Sequence, residues 1–152
     1  MQGSAGPSRG VKFLGSYQHQ LDEKGRVSLP APFRREAADQ RFVLVQPYPP
    51  ALALYPEIEW GTVESRLSEL QARGTEERLY VLSVLANAVE VTPDTQGRIL
   101  IPAKLKEAAG LESSVLLVGA INKVELWSPE QFQATVTGRS SGPDQFTTQL
   151  FR

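Results

Sequence analysis

One ten-residue segment occurs twice in this chain. Asp22-Glu23-Lys24-Gly25-Arg26-Val27-Ser28-Leu29-Pro30-Ala31 returns as Asp94-Thr95-Gln96-Gly97-Arg98-Ile99-Leu100-Ile101-Pro102-Ala103. Asp, Gly, Arg, Pro and Ala keep their register, and the apolar positions match, Val27 with Ile99 and Leu29 with Ile101. The interval exceeds the ~20–50 residues of a solenoid unit, so it reads as a duplicated small domain. What recurs is a turn that carries an arginine into a strand. Two copies of one presenting device point to a repetitive partner, and hence to nucleic acid before catalysis.

The flanking pattern repeats as well. A strand is expected over 13–21, a turn over 22–25, a strand over 26–29 and a short helix over 30–38, opened by Pro30. Apolar runs at 42–45 and 52–55 predict a strand pair around the Pro47-Tyr48-Pro49-Pro50 turn. From residue 56 the period becomes helical: Trp60, Val63, Leu67 and Leu70 share one stripe to about residue 74, and Leu79, Leu82 and Leu85 share another over 76–85. The cycle then restarts with a strand at 88–91, the turn 94–97, a strand at 98–101 and a helix at 102–109. Strands at 115–118 and 124–127 follow, then a helix capped by Ser128 with Pro129 at its first position. Each half, of about 60 residues, is a marginal folder alone. Both are therefore expected to build one core with strands exchanged between them. The fold class is mainly β with short helices (α+β).

The expected division is an extension at 1–11, a first repeat at 12–60, a helical linker at 61–86, a second repeat at 87–136 and a tail at 137–152. Residues 1–10 are small and polar and are expected to be disordered, an expression remnant or a misassigned start. The tail is expected to be mobile, with Phe146, Leu150 and Phe151 available to dock on a neighbour. The 152 residues contain no cysteine, which removes disulfides, thiolate metal sites and cysteine nucleophiles. No apolar run approaches a membrane span of ~18 residues, and a cytoplasmic protein is the default expectation.

Net charge is −1, but it is unevenly spread. Residues 57–90 hold seven acids and three bases, a balance of −4, which leaves +3 for the remainder. The local field, more than the sum, steers a polyanion.

Within Asp-x-x-Gly-Arg the roles divide by chemistry. Glycine permits the reversal, aspartate braces it, and arginine stands where the strand leaves the turn. The planar guanidinium makes paired bonds to guanine O6/N7 or to phosphate oxygens. Asp22 can orient Arg26, and Asp94 can orient Arg98. Lys24 adds a flexible charge in the first turn where Gln96 stands in the second, so the first turn is expected to contribute more. A lone Asp–Arg pair across a turn is often only a surface ion pair worth ~0–1 kcal/mol; the repetition favours the functional reading. Candidate DNA-binding residues are Asp22, Lys24, Gly25, Arg26, Asp94, Gly97 and Arg98. Arg34, Arg35, Lys104 and Lys106 on the short helices are candidate phosphate contacts, although helix surfaces commonly carry such charges for solubility. His19 is the single histidine and reads as structural. Asp22 and Glu23 lack a second acid placed for acid–base work, Ser28 and Ser83 lack a base, and no phosphate-binding glycine loop occurs. Neither an enzyme, a metal, a cofactor nor a small-molecule substrate is expected.

These residues resemble the MraZ transcriptional regulators. The resemblance rests on Leu21 to Pro30, on Gln96 to Pro102, and on Leu117-Val118-Gly119 with Val124-Glu125-Leu126-Trp127, and it covers about residues 12–136. It implies a SpoVT-AbrB-type swapped-hairpin β-barrel, formed here by two tandem repeats within one chain. It further implies a bacterial, nucleoid-associated regulator, in the main a repressor. Such a regulator binds short direct repeats of double-stranded DNA in the promoter of the division and cell-wall gene cluster, its own included. Its DNA-contacting turns map onto Asp22 and Arg26 and onto Asp94 and Arg98. Family members assemble into rings, and a homo-oligomeric ring is expected here.

The ring fits the charge arithmetic. Affinity falls with slope ~ −0.9 in log K per neutralised phosphate, so a subunit with few cations binds weakly at cellular salt. Joining several turns on one scaffold can raise avidity by ~10²–10⁴, and head-to-tail association closes into a ring when its rotation permits. Two rivals are an antitoxin-like binder of related fold, which needs a long disordered segment to wrap a toxin, and a scaffold whose turns bind acidic proteins.

Overall fold

A computed structural model describes residues 10–38, 41–139 and 143–151. The first half runs β1 (Ser16–Gln20), β2 (Arg26–Ser28), α1 (Ala31–Glu36), β3 (Phe42–Tyr48) and β4 (Ala51–Pro56). Two helices, α2 (Glu57–Gln71) and α3 (Thr75–Leu85), lead to the second half. That half repeats the order as β5 (Val89–Val91), β6 (Arg98–Leu100), α4 (Ala103–Ala108), β7 (Ser114–Gly119) and β8 (Val124–Trp127). Helices α5 (Pro129–Thr137) and α6 (Pro143–Leu150) close the chain. The short helices start where their sequence dictates. Pro30 and Pro102 occupy the N-caps of α1 and α4, and the Ser128 hydroxyl accepts from the Gln131 N–H at the start of α5.

Six strands form one antiparallel sheet in the order β1-β7-β8-β4-β3-β5, and β2 and β6 form a separate two-stranded ladder. The order is symmetric under exchange of the halves. β1 of the first half pairs with β7 of the second, and β5 of the second pairs with β3 of the first. The halves meet again where β4 pairs with β8 and β2 with β6.

Among the described residues the expected closed barrel does not form. The sheet stays open, with β1 and β5 as its two edges. The reason lies in the ladder. With three residues per strand, β2 and β6 pair with each other and lie across one face of the sheet instead of joining its edges. One cluster fills the space between, with Val27, Leu29, Ile99 and Ile101 from the ladder region against Phe42, Leu44, Leu52, Leu54, Val115, Leu117 and Leu126. A two-stranded ribbon is marginal in water. Burying each of those four aliphatic chains contributes on the order of 1.5–3 kcal/mol, which holds the ladder down.

The opposite sheet face carries Val45, Ala53 and Tyr55, covered by Trp60, Val63, Val84 and Ala88. Helices α2 and α3 thus pack on the side away from the ladder, and they carry Glu57, Glu59, Glu64, Glu69, Glu76 and Glu77 with them. On α2 the half-buried residues include Trp60, Val63, Leu67 and Leu70, the stripe read from the sequence. On α3 the inward side is Val81 and Val84, and Leu79, Leu82 and Leu85 face outward. A helix apolar on both sides offers two stripes, and local periodicity does not choose between them.

One boundary differs from expectation. Val11, expected in the extension, is buried in the main cluster; residues 1–9 lie outside the described residues. The tail carries α6, whose Phe146 and Leu150 lie one turn apart and are exposed. None of the described helices is long and apolar enough to cross a membrane.

Candidate nucleic-acid interface

The two repeated turns have the same hydrogen-bond wiring. In the first, the Asp22 N–H donates to the Arg26 carbonyl at 2.9 Å and the Gly25 N–H to the Asp22 carbonyl at 3.0 Å. Asp22 Oδ1 accepts from the Lys24 N–H at 2.9 Å and the Arg26 N–H at 2.8 Å, and Oδ2 accepts from Arg26 Nε at 2.8 Å. In the second, the Asp94 N–H donates to the Arg98 carbonyl at 2.8 Å and the Gly97 N–H to the Asp94 carbonyl at 2.9 Å. Asp94 Oδ1 accepts from the Gln96 and Arg98 N–H groups, and Oδ2 from Arg98 Nε, each at 2.9 Å.

Each carboxylate therefore folds its own turn and orients its arginine. Three N–H donors favour the ionised form. The Arg26 backbone N–H is the main cause holding the Asp22 carboxyl below its ordinary value, helped by the Arg26 guanidinium and the Lys24 N–H. The Arg98 backbone N–H does the same for Asp94, helped by the Gln96 N–H and the Arg98 guanidinium. Only Nε of each guanidinium is spent on aspartate. Among the described residues no hydrogen bond occupies the terminal nitrogens of Arg26 or Arg98, whose side chains remain 32% and 27% exposed. Their outer edges are free to make paired contacts.

Register decides which way the arginines face. Val27 lies opposite Ile99 and both are buried, so the neighbouring pairs, Arg26 with Leu100 and Ser28 with Arg98, project from the outer face. The ladder is locked at both ends, where the Leu29 N–H donates to the Gly97 carbonyl at 2.9 Å and the Ile101 N–H to the Gly25 carbonyl at 2.8 Å. Each turn is thus anchored to the strand end of the other copy. From the strand rise and spacing, the two arginine Cα atoms stand about 8 Å apart.

Both turn glycines are buried and take positive φ, 86° at Gly25 and 77° at Gly97. Their surroundings differ. Arg34 lies over Gly97, and its Nη1 donates to the Leu29 carbonyl at 2.6 Å. Arg34, a candidate phosphate contact in the sequence, thus spends one guanidinium nitrogen on closing the ladder. Arg35 and Lys104 are exposed on α1 and α4, and Lys106 is half-buried on α4. Lys24 and Gln96 stand exposed at the tips of the turns. A shallow depression of about 210 Å³ is lined by Asp22, Glu23, Lys24 and Arg26. The structure therefore brings Asp22, Lys24, Gly25, Arg26, Asp94, Gly97 and Arg98 to the two ends of one ladder.

His19 Nδ1 donates to the Ser28 carbonyl at 2.8 Å, tying β1 to the ladder. Among the described residues no group of three His, Cys, Asp or Glu side chains is placed to hold a metal ion. The reciprocal locks, the clamp by Arg34 and the outward Leu100 go beyond what the sequence alone showed. The first two depend on contacts between copies. Leu100 had a signal, because it stands in the outward register position of its strand, where Ser28 stands in the other.

A family model described as "MraZ protein, putative antitoxin-like" matches residues 12–82 and again 84–147, one turn in each segment. The chain belongs to the MraZ family. Among similar proteins, the transcriptional regulator MraZ of Pediococcus pentosaceus is 36% identical over 138 residues, 91% of this chain and 96% of the relative. Those of Thermoanaerobacter pseudethanolicus and Syntrophomonas wolfei are 42% and 39% identical over 120 residues, 79% of this chain and 83% of each relative. The MraZ match thus spans both halves and both turns, and it includes the ladder that joins them.

Proposed function

We propose that this MraZ-family chain is a sequence-specific DNA-binding regulator of transcription that grips the major groove with its arginine ladder. The observation that carries the reading is the pair of guanidinium groups, each held by its own aspartate through Nε alone and turned outward. A groove ~12 Å wide admits a two-stranded ribbon. Arginines about 8 Å apart would reach bases roughly two steps apart, given a base-pair rise near 3.4 Å. Carrying the acidic helices on the opposite sheet face keeps their field away from the phosphates.

The finer reading is a repressor acting at short direct repeats in the promoter of the division and cell-wall gene cluster, its own promoter included, and located at the nucleoid in the cytoplasm. Several subunits in a ring would present the same ladder in the same sense to successive repeats. The outward Leu79, Leu82 and Leu85 on α3, 39–55% exposed, supply an apolar face for a neighbouring copy. In this reading the reciprocal lending of β1 and β5 is the single-chain counterpart of the swapped-hairpin architecture, and the two halves act as tandem repeats at 12–60 and 87–136, joined by a helical linker at 61–86.

The test is a titration of the labelled promoter fragment and a scrambled duplex of equal length across a salt series. The reading expects a steep salt dependence for both and a clear preference for the promoter at every salt concentration. Equal affinity for the two duplexes would overturn it and favour the scaffold alternative, in which the turns bind acidic proteins.

A further inference from the structure

The ladder is built on a two-fold relation between the halves, and a symmetric ladder would read a palindrome. Its outer face is not symmetric. Ser28 and Leu100 occupy equivalent positions, each opposite the arginine of the other copy. Ser28 is half-buried and small, whereas Leu100 is 52% exposed. The locks at both ladder ends make Gly25–Ile101 and Leu29–Gly97 the hydrogen-bonded positions. The alternation of an antiparallel ladder then makes Arg26–Leu100 and Ser28–Arg98 the non-hydrogen-bonded pairs, in which side chains approach closest. Leu100 Cδ1 also lies 3.8 Å from the place a Gly25 side chain would occupy, against the first turn.

A leucine held outward between two arginines is suited to one feature of duplex DNA, the thymine 5-methyl group, which projects into the major groove beside the acceptors that arginine reads. We propose that Leu100 is a specificity-determining residue that packs on a thymine methyl next to the base read by Arg26. Ser28 offers a hydroxyl beside Arg98, so the two ends of the ladder read different steps. The ladder gains a direction, which is what recognition of direct rather than inverted repeats requires. This inference rests on the DNA-binding reading above.

The test uses the full chain and promoter duplexes in which single thymines are replaced by uracil, which lacks only the methyl. Affinities are measured by fluorescence anisotropy for the unchanged chain and for Leu100→Ser, which makes the two outward pairs of the ladder alike, with oligomer size and melting temperature recorded for both. The unchanged chain should lose about fourfold in affinity at one thymine per repeat, the value of burying one carbon group. Leu100→Ser should bind the thymine and uracil duplexes equally and still prefer promoter over scrambled DNA. Equal binding of thymine and uracil duplexes by the unchanged chain would overturn the role of Leu100 while leaving the arginine reading intact. So would a thymine preference that survives in Leu100→Ser, including the case where that variant changes oligomer size and so places Leu100 at a subunit junction. Failure of the unchanged chain to prefer its promoter would overturn both.

Discussion

Replacing Gly25 by alanine perturbs the ladder at its tightest backbone contact. An added Cβ would lie 2.8 Å from the Ile101 carbonyl oxygen, and the Ile101 N–H donates to the Gly25 carbonyl at 2.8 Å. Backbone stands on that side, so no side chain can swing away. An L-residue in left-handed backbone costs about 1–2 kcal/mol, and losing the lock adds about 0.5–1.5 kcal/mol. The sum is about 1.5–3.5 kcal/mol, or a fall in Tm of about 3–14 °C for a chain of this size. Gly97→Ala carries the same backbone strain at φ 77°, but its nearest neighbours are the Nη1 and Cδ of Arg34, at 2.7 and 2.8 Å. That side chain can move, and water can replace its bond to the Leu29 carbonyl. About 1–2 kcal/mol is expected there. Scanning calorimetry of both single variants gives the comparison. A Gly97→Ala variant as unstable as Gly25→Ala, or more so, would refute the contrast between a backbone wall and a flexible one.

Further expectations concern charge and assembly. Arg26→Ala should abolish promoter binding in anisotropy titrations. Each paired base contact is worth about 1–3 kcal/mol, and in the proposed ring the loss would recur in every subunit. Arg98→Ala should weaken binding less, because Gln96 stands beside it where Lys24 stands beside Arg26. The folded-state values of Asp22 and Asp94 are depressed, so their contribution to stability is present above the unfolded carboxyl value of about 3.9 and is lost as pH falls through the folded values. Carbon-detected NMR titration should find both carboxyls still ionised below the ordinary aspartate value of about 3.9, and normal midpoints would contradict the wiring. The triple variant Leu79→Ser/Leu82→Ser/Leu85→Ser should shrink the proposed oligomer in light scattering. An oligomer of unchanged size would exclude α3 from the junction.

The turns were legible because their determinants are local. Asp22, Gly25 and Arg26 fall within one reversal, so glycine, brace and cation could be assigned from spacing, and the second copy repeated the assignment. The strand pairs and short helices were legible for the same reason, through alternation, Pro30, Pro102 and Ser128. What the sequence hid depends on distance. Three-residue strands carry no sign that they will lie across a sheet rather than close it, so the barrel expectation failed at β2 and β6. Arg34 looks like any surface cation until the Leu29 carbonyl and Gly97 from the other copy come beneath it. On α3 the choice between Val81 with Val84 and Leu79 with Leu82 depends on the sheet face beneath, and that face belongs to β3 and β4.

In the proposed function, two outward guanidinium groups, positioned by matching turns, recognise promoter DNA. Its most direct test measures promoter and scrambled-duplex affinity of Arg26→Ala/Arg98→Ala by anisotropy, with oligomer size fixed by light scattering on the same samples. The expected result is an unchanged particle size with promoter and scrambled DNA no longer distinguished. Promoter affinity equal to that of the unchanged chain would contradict it.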